Sequence, residues 1–216
     1  MKKLLFHLHT EKSYDANIKI EKLLEYVIEN KIDYFCVTDH QSFEACKIIE
    51  KLLKSKKYKK YKNKTKLIRG MEIKTEYGDA IPCFIKKEIK TRKFLEVVKE
   101  TRKQKGLLII PHPFSSHKNL NEIVKYVDGI EIFNSNTSKS RNEKSLQLAN
   151  ENPKLLRIAG VDAHLMSELG NALNEIKLGK KIKIKPILCK SSGYVKANIK
   201  HAFIHGLNFK KDLLKK

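Results

Sequence analysis

Two histidines one residue apart, His7 and His9, open a series of imidazole and carboxylate side chains that recurs along the chain. Asp39 and His40 are adjacent, and Glu72 follows Gly70 and Met71. His112 stands between Pro111 and Pro113, and Asp162 and His164 repeat the one-residue spacing. Imidazole and carboxylate together suit Zn²⁺, Mn²⁺ or Fe²⁺, and one bridging carboxylate lets two ions share a site. A solitary histidine at the end of a strand is more often structural, because ligation needs a full set. Here such residues recur at five places, which is what a metal site requires.

The elements that must position them read as an alternation of strands and helices. Short apolar strands are expected over residues 3–8, 34–38, 66–73, 80–85, 107–110, 129–133 and 155–159, and helices over 18–29, 43–53, 91–103, 119–126 and 141–150. Ile20, Leu23, Leu24, Val27 and Ile28 have the spacing of one helix face. Strands rich in Ile, Leu and Val are buried on both faces, which implies a largely parallel sheet covered by helices. Closed, that sheet is a (β/α) barrel; open, it is doubly wound. His7 and His9 then leave one side of the first strand's C-terminal end. His40, Glu72, His112, Asp162 and His164 fall at the ends of later strands, where the loops of a barrel form its active site. Residues 54–65 read as a solvated lysine-rich loop or a frayed helix end. The pattern loosens after Glu175, with an exposed basic strand expected over 177–185.

A length of 216 residues fits one domain, residues 1–216, with a looser basic segment from about 177. No apolar run approaches the ~20 residues of a membrane helix. Residues 1–6 are too short an apolar stretch for a signal peptide, so a cytoplasmic protein is expected. The formal charge of +22 invites polyanions, yet only five of the 46 basic residues are arginine, the side chain favoured for bidentate phosphate recognition. The lysines are spread along the chain, as compositional bias would spread them. Cys36, Cys46, Cys83 and Cys189 form no close pair and read as free, mostly buried thiols. His117, His201 and His205 read as surface or packing residues.

These residues resemble the PHP family, named for polymerase and histidinol phosphatase, in five ordered motifs. The first is His7-Leu-His9-Thr with Ser13 and Asp15; the second is Val37-Thr-Asp-His40; the third is Gly70-Met-Glu72. His112-Pro-Phe114 is similar to the fourth, and Gly160-Val-Asp162-Ala-His164 with Glu168-Leu-Gly170-Asn171-Ala172 to the last. Gly129-Ile-Glu131-Ile-Phe-Asn134 and Arg141-Asn142 are closer to the small stand-alone phosphoesterases than to the polymerase-attached domains.

The resemblance implies a distorted (β/α)7 TIM-like barrel with two or three divalent ions, Mn, Fe or Zn, at its rim. By position, His7, His9, Glu72 and Asp162 would hold the first ion. Glu72 would bridge to a second, which His112 also binds, and Asp15, His40 and His164 would hold a third. Many members carry a histidine where this chain has Asp79, after Gly78; Asp79 either ligates in its place or is a plain loop residue. Asp15 could instead cap the following helix. Asp39 is expected to orient a ligand histidine from behind, and Arg141 is the candidate clamp for a substrate phosphate. Lys12, Lys74 and Lys118 could guide a polyanion, and Tyr14, Tyr77, Phe114 and Phe133 could flank the rim.

The chemistry implied is hydrolysis of a phosphate ester by a metal-activated hydroxide, with His7, His9, Glu72, His112, Asp162 and His164 as the catalytic set. Substrates are expected among nucleotides or the 5′ ends of short nucleic acids. The alternatives are a small-metabolite phosphatase acting on substrates like histidinol phosphate, a C–N bond hydrolase on the same template, and a non-catalytic nucleic-acid-binding barrel.

Overall fold

The computed structural model describes residues 2–192; His201 and His205 lie outside the described residues. The chain runs β1 (Lys2–Leu8), α1 (Ile20–Glu29), β2 (Tyr34–Val37), α2 (Glu44–Lys54), β3 (Lys66–Arg69), β4 (Ile73–Thr75) and β5 (Gly78–Cys83). It continues through α3 (Phe94–Lys103), β6 (Leu107–Ile110), α4 (Pro113–Ser116), α5 (Leu120–Ile123) and β7 (Gly129–Asn134). Then come α6 (Lys139–Glu151), β8 (Leu156–Gly160), β9 (Ala172–Lys177) and β10 (Lys183–Cys189). The α1 residues Ile20, Leu23, Leu24 and Val27 are all buried, as their spacing requires.

The strands form two five-stranded sheets, in the orders β10-β9-β1-β2-β3 and β4-β5-β6-β7-β8. Successive residues along a strand enter different clusters. Leu4 and Phe6 of β1, Tyr34 and Cys36 of β2, Ile81 of β5, Ile109 of β6 and Ile158 of β8 join an interior shared by the two sheets. Leu5, Phe35, Val37, Leu108 and Ile110 face the larger cluster with the helices. Burial on both faces explains the continuous apolar strands.

The architecture differs from the expected closed barrel, because among the described residues no continuous ladder runs around it. The β9–β10 hairpin pairs antiparallel with β1 at Lys2, Lys3 and Leu4, taking an edge that a closing strand would need. The second sheet therefore reaches β1 only beyond that point, through the bridge Leu8↔Ala163 and the bond from Val161 N–H to Phe6 O. On the other side β3 and β5 meet at Gly70↔Cys83. The expected strand 66–73 is two strands, broken at Gly70, where a Cβ would stand 2.9 Å from Cys36 Sγ. β4 and β5 form an antiparallel hairpin, and the expected basic strand over 177–185 is the turn and outer arm of the β9–β10 hairpin. The helix expected over 119–126 is α5 followed by a tighter turn.

Candidate metal centre

The ends of β1, β2, β6 and β8 deliver most of the residues singled out by their chemistry to one place, and Glu72 joins them from the break between β3 and β4. Glu72 pairs with His40 in an isolated parallel bridge. Three backbones turn sharply to aim their side chains: His7, His112 and Asp162 have φ of 65°, 28° and 49°. Such conformations cost about 1–3 kcal/mol each and persist only where surrounding structure enforces them. At His7 the turn coincides with a register shift between β1 and β2.

Four side chains converge at the middle. Glu72 Oε2 lies 3.5 Å from His7 Nε2 and 3.3 Å from His9 Nε2, and Asp162 Oδ1 lies 3.3 and 3.5 Å from the same two nitrogens. On one side the other oxygen of Glu72, Oε1, meets His112 Nε2 at 3.1 Å. On the other, Asp15 Oδ2 lies 3.1 Å from His40 Nε2 and 3.3 Å from His164 Nε2, and His40 Nδ1 lies 3.3 Å from Glu72 Oε2. Three groups of donor atoms, each within 4.8 Å of one another, result: His7, His9 and Asp162; His7, Glu72 and His112; His9, Asp15, His40 and His164. His9 thus joins the third group as well as the first.

The histidines are braced from behind. His7 Nδ1 donates to Glu131 Oε1 at 2.7 Å, His9 Nδ1 meets Ser13 Oγ at 3.3 Å, and His164 Nδ1 donates to the Asp162 carbonyl at 3.0 Å. Each brace fixes the ring and turns Nε2 into the centre, as metal-binding imidazoles are held. Among the buried atoms, His7 Nε2, His9 Nε2 and Asp15 Oδ1 have no hydrogen-bond partner. Unsatisfied buried polar atoms are costly, and a cation at their convergence would satisfy them. The donor set therefore fits divalent ions.

Charge is finely balanced here. Burial pushes His9 down, and the His164 and His40 rings push it further, to about 3. Burial also disfavours charge on His7, but Glu131, Asp162 and Glu72 outweigh it and raise that imidazole well above its ordinary value. Against burial, Glu72 and Asp15 raise His40 to about 9, and Glu72 raises His112 to about 9. Burial opposes ionisation of Glu72 and Asp162, but His7 and neighbouring histidines hold both carboxyls well below the carboxylate range.

Asp39 is buried and bonds to no histidine ring directly. It accepts from Thr10 N–H at 2.6 Å, Thr10 Oγ1 at 2.8 Å and Ser13 Oγ at 3.0 Å, and Ser13 in turn meets His9. Asp79 belongs to none of the three donor groups. Arg141 lies half-buried in the first turn of α6, where Ser138 Oγ accepts its N–H. Lys12 is paired with Glu44 at 2.7 Å. Tyr14 stacks on His40, with ring centroids 5.1 Å apart. His117, expected at the surface or in packing, is half-buried, its Nε2 2.7 Å from the Asp79 carbonyl.

Glu131 is the functional residue that sequence spacing hides. It is fully buried: Oε1 holds His7, while Oε2 accepts from His112 N–H at 2.8 Å and from Asn134 Nδ2 at 2.9 Å. Gly160 makes room for it, since a Cβ there would lie under 2 Å from Oε1. The available signal is a carboxylate inside the otherwise apolar run Gly129-Ile-Glu131-Ile-Phe133. Glu168 plays a similar part, its Oε2 accepting the N–H groups of His164 and Leu165 at 2.9 and 3.0 Å.

The PHP domain family matches residues 6–165, a span that contains every member of the three donor groups. The chain belongs to the PHP family. A relative in Methanocaldococcus jannaschii, the uncharacterized protein MJ0417, is 35% identical over 117 residues. That match covers 49% of this PHP chain and 49% of the relative, so it spans about half the relative's length. PsfC from Pseudomonas syringae has a similar structure, with a TM-score of 0.66 at 14% identity, covering 95% of this chain and 98% of PsfC. A two-domain protein from Bacteroides vulgatus, which contains a predicted PHP-like metal-dependent phosphoesterase, gives 0.62 at 14% identity. There the match covers 93% of this chain and 62% of the other. At these identities the structural likeness shows the fold of the PHP chain. Among the described residues no helix is long and apolar enough to cross a membrane.

Proposed function

We propose that this PHP protein is a cytoplasmic metal-dependent phosphoesterase whose substrates are nucleotides or the 5′ ends of short nucleic acids. The observation that carries the proposal is the convergence of His7, His9, Glu72 and Asp162, flanked by His112 on one side and by Asp15, His40 and His164 on the other. We read the two sheets as an interrupted (β/α)7 barrel that gathers these strand ends at one rim.

In this reading His7, His9, Glu72 and Asp162 hold one ion, Glu72 and His112 a second, and Asp15, His40 and His164 a third. Mn²⁺, Fe²⁺ and Zn²⁺ all suit the donor set. Such ions, when bound, polarise a phosphate and lower the pKa of water enough to make it a nucleophile at neutral pH. The chain supplies the rest. Glu72 addresses two donor groups with its two oxygens and so fixes their separation. Glu131, Ser13 and the Asp162 carbonyl hold three rings in the tautomer that leaves Nε2 as a lone pair. Arg141 offers a guanidinium to a substrate phosphate. Tyr14, 59% exposed beside His40, presents a flat apolar face at the mouth of the centre to a planar base. Cys36, Cys46 and Cys83, buried and free, suit a reducing compartment.

The test compares Mn²⁺-loaded protein with a chelated control on a 5′-phosphorylated oligonucleotide and on p-nitrophenyl phosphate. Metal-dependent release of mononucleotides is the expected result. Turnover of p-nitrophenyl phosphate alone would replace this substrate class with small phosphorylated metabolites. Oligonucleotide binding without hydrolysis of either compound would replace the enzyme with a binding module. His7→Ala and Glu72→Ala should each abolish hydrolysis and leave the circular dichroism spectrum unchanged; undiminished turnover in either would defeat the assignment of the centre.

A further inference from the structure

The three donor groups are unevenly furnished. The group of His7, Glu72 and His112 shares His7 with the group of His9 and Asp162, and Glu72 also faces His9 and His40. His112 is the side chain it has to itself. An ion there would be short of ligands, since even a closed tetrahedral site takes four.

His117 stands beside this group. Its ring centroid lies 6.0 Å from that of His112. With metal–nitrogen bonds of about 2.1 Å, two imidazoles on one ion keep their centroids roughly 4.5–6.5 Å apart. The ring is oriented by its own second contact, Nε2–H donating to the Asp79 carbonyl at 2.7 Å. That bond places the proton on Nε2. Nδ1 is buried and has no partner in hydrogen-bonding geometry, with the Pro113 carbonyl also beside the ring. His112 Nδ1 is buried and unpartnered as well.

The fold makes specific room for this imidazole. Gly78, at φ +120°, lies directly beneath it, and a Cβ there would come within 2.6 Å of His117 Cδ2. The loop is fastened at the next residue, where Lys118 N–H donates to the Tyr77 carbonyl at 2.9 Å. Two bonds to the β4–β5 turn and a glycine underneath thus hold the ring against His112. A buried nitrogen without a partner is costly, and a cation beside it would satisfy it.

We propose that His117 is a further ligand, through Nδ1, of the ion that Glu72 and His112 hold. The proposal rests on the metal-binding reading above and names a residue outside its three groups. Metal-free wild-type protein and His117→Gln would be titrated with Mn²⁺ by calorimetry. The glutamine amide can still donate to the Asp79 carbonyl, yet it carries nothing at the place of Nδ1. The expected result is an unchanged metal-free melting temperature and at least a tenfold weaker affinity for one Mn²⁺ equivalent, the others holding. Unchanged affinity for every equivalent would overturn the proposal and leave the metal centre standing. Failure of wild-type protein to bind Mn²⁺ at all would overturn both. A second measurement needs no variant: in protein with ¹⁵N-labelled histidine, Zn²⁺ should displace the His117 Nδ1 resonance and leave its Nε2 proton in place. A resonance that stays put when the other ligands move would equally overturn it.

Discussion

Glu131 braces two candidate ligands at once, because its two oxygens are committed separately, one to the His7 ring and the other to the backbone of His112 and the side chain of Asn134. Glu131→Gln keeps the shape but turns one acceptor into a donor, leaving either the His7 ring or the His112 N–H without its partner. Changes behind a metal ligand commonly cost 10–100-fold in affinity, and this one should weaken Mn²⁺ binding by about that range in a calorimetric titration. A change in kcat with affinity unaltered would contradict the positioning role. The candidate ligands were legible in the sequence because His7, His9, His40, Glu72, His112, Asp162 and His164 all end or follow short apolar runs. Glu131 was not, because it stands inside its strand, where spacing does not say which face a carboxylate takes or what waits there. The place of His117 beside His112 was not legible either, because its loop is fixed by bonds to Tyr77 and Asp79, about 40 residues away.

At the level of elements, the gap between the sheets is closed by a side chain instead of a strand. Asn174, on β9 and fully buried, accepts from Ala159 N–H at 2.8 Å and donates to Ala159 O at 2.8 Å and Leu4 O at 3.5 Å. It thereby imitates a residue of the missing ladder between β1 and β8. Asn174→Leu would orphan the Ala159 N–H and carbonyl in a dry interior, at about 1–3 kcal/mol for each unsatisfied group. Chemical denaturation should show a loss of that size; a variant as stable as the parent would mean that β1 and β8 re-pair. The strand and helix order was readable from apolar runs, but closure was not. The run 66–73 does not say that the strand breaks at Gly70, whose backbone passes so close to Cys36 on the neighbouring strand that a Cβ would not fit. Nor does a run of lysines and isoleucines near 183 reveal that it pairs back onto β9, the strand that takes the edge of β1.

Across the whole molecule, a surplus of positive charge surrounds a centre where carboxylates and imidazoles bargain over protons. His7, His40 and His112 are raised in the folded protein, the latter two to about 9, from an unfolded value of about 6.5. A histidine raised by folding contributes stability in full below its unfolded pKa and loses it as the pH climbs through the folded one. Protein stripped of metal should therefore melt at progressively lower temperature from pH 6.5 to 9, with the raised thiols of Cys36, Cys46 and Cys83 adding to the decline above about pH 8.5. Saturating Mn²⁺ competes with those protons and should abolish or reverse the slope. Scanning calorimetry at both pH values, with and without Mn²⁺, checks it; a metal-free midpoint independent of pH would contradict the proton balance described here.

The stacked rings at the mouth of the centre have an optical consequence. The chain has eight tyrosines and no tryptophan, so its ultraviolet emission is tyrosine emission. Tyr14 ends a column of rings that runs inward through His40 to His9 and His164, with successive centroids 5.1, 4.4 and 4.3 Å apart. Whatever changes the charge on His40 changes the surroundings of that fluorophore at contact range, so tyrosine emission would report an ion taken up by the proposed centre.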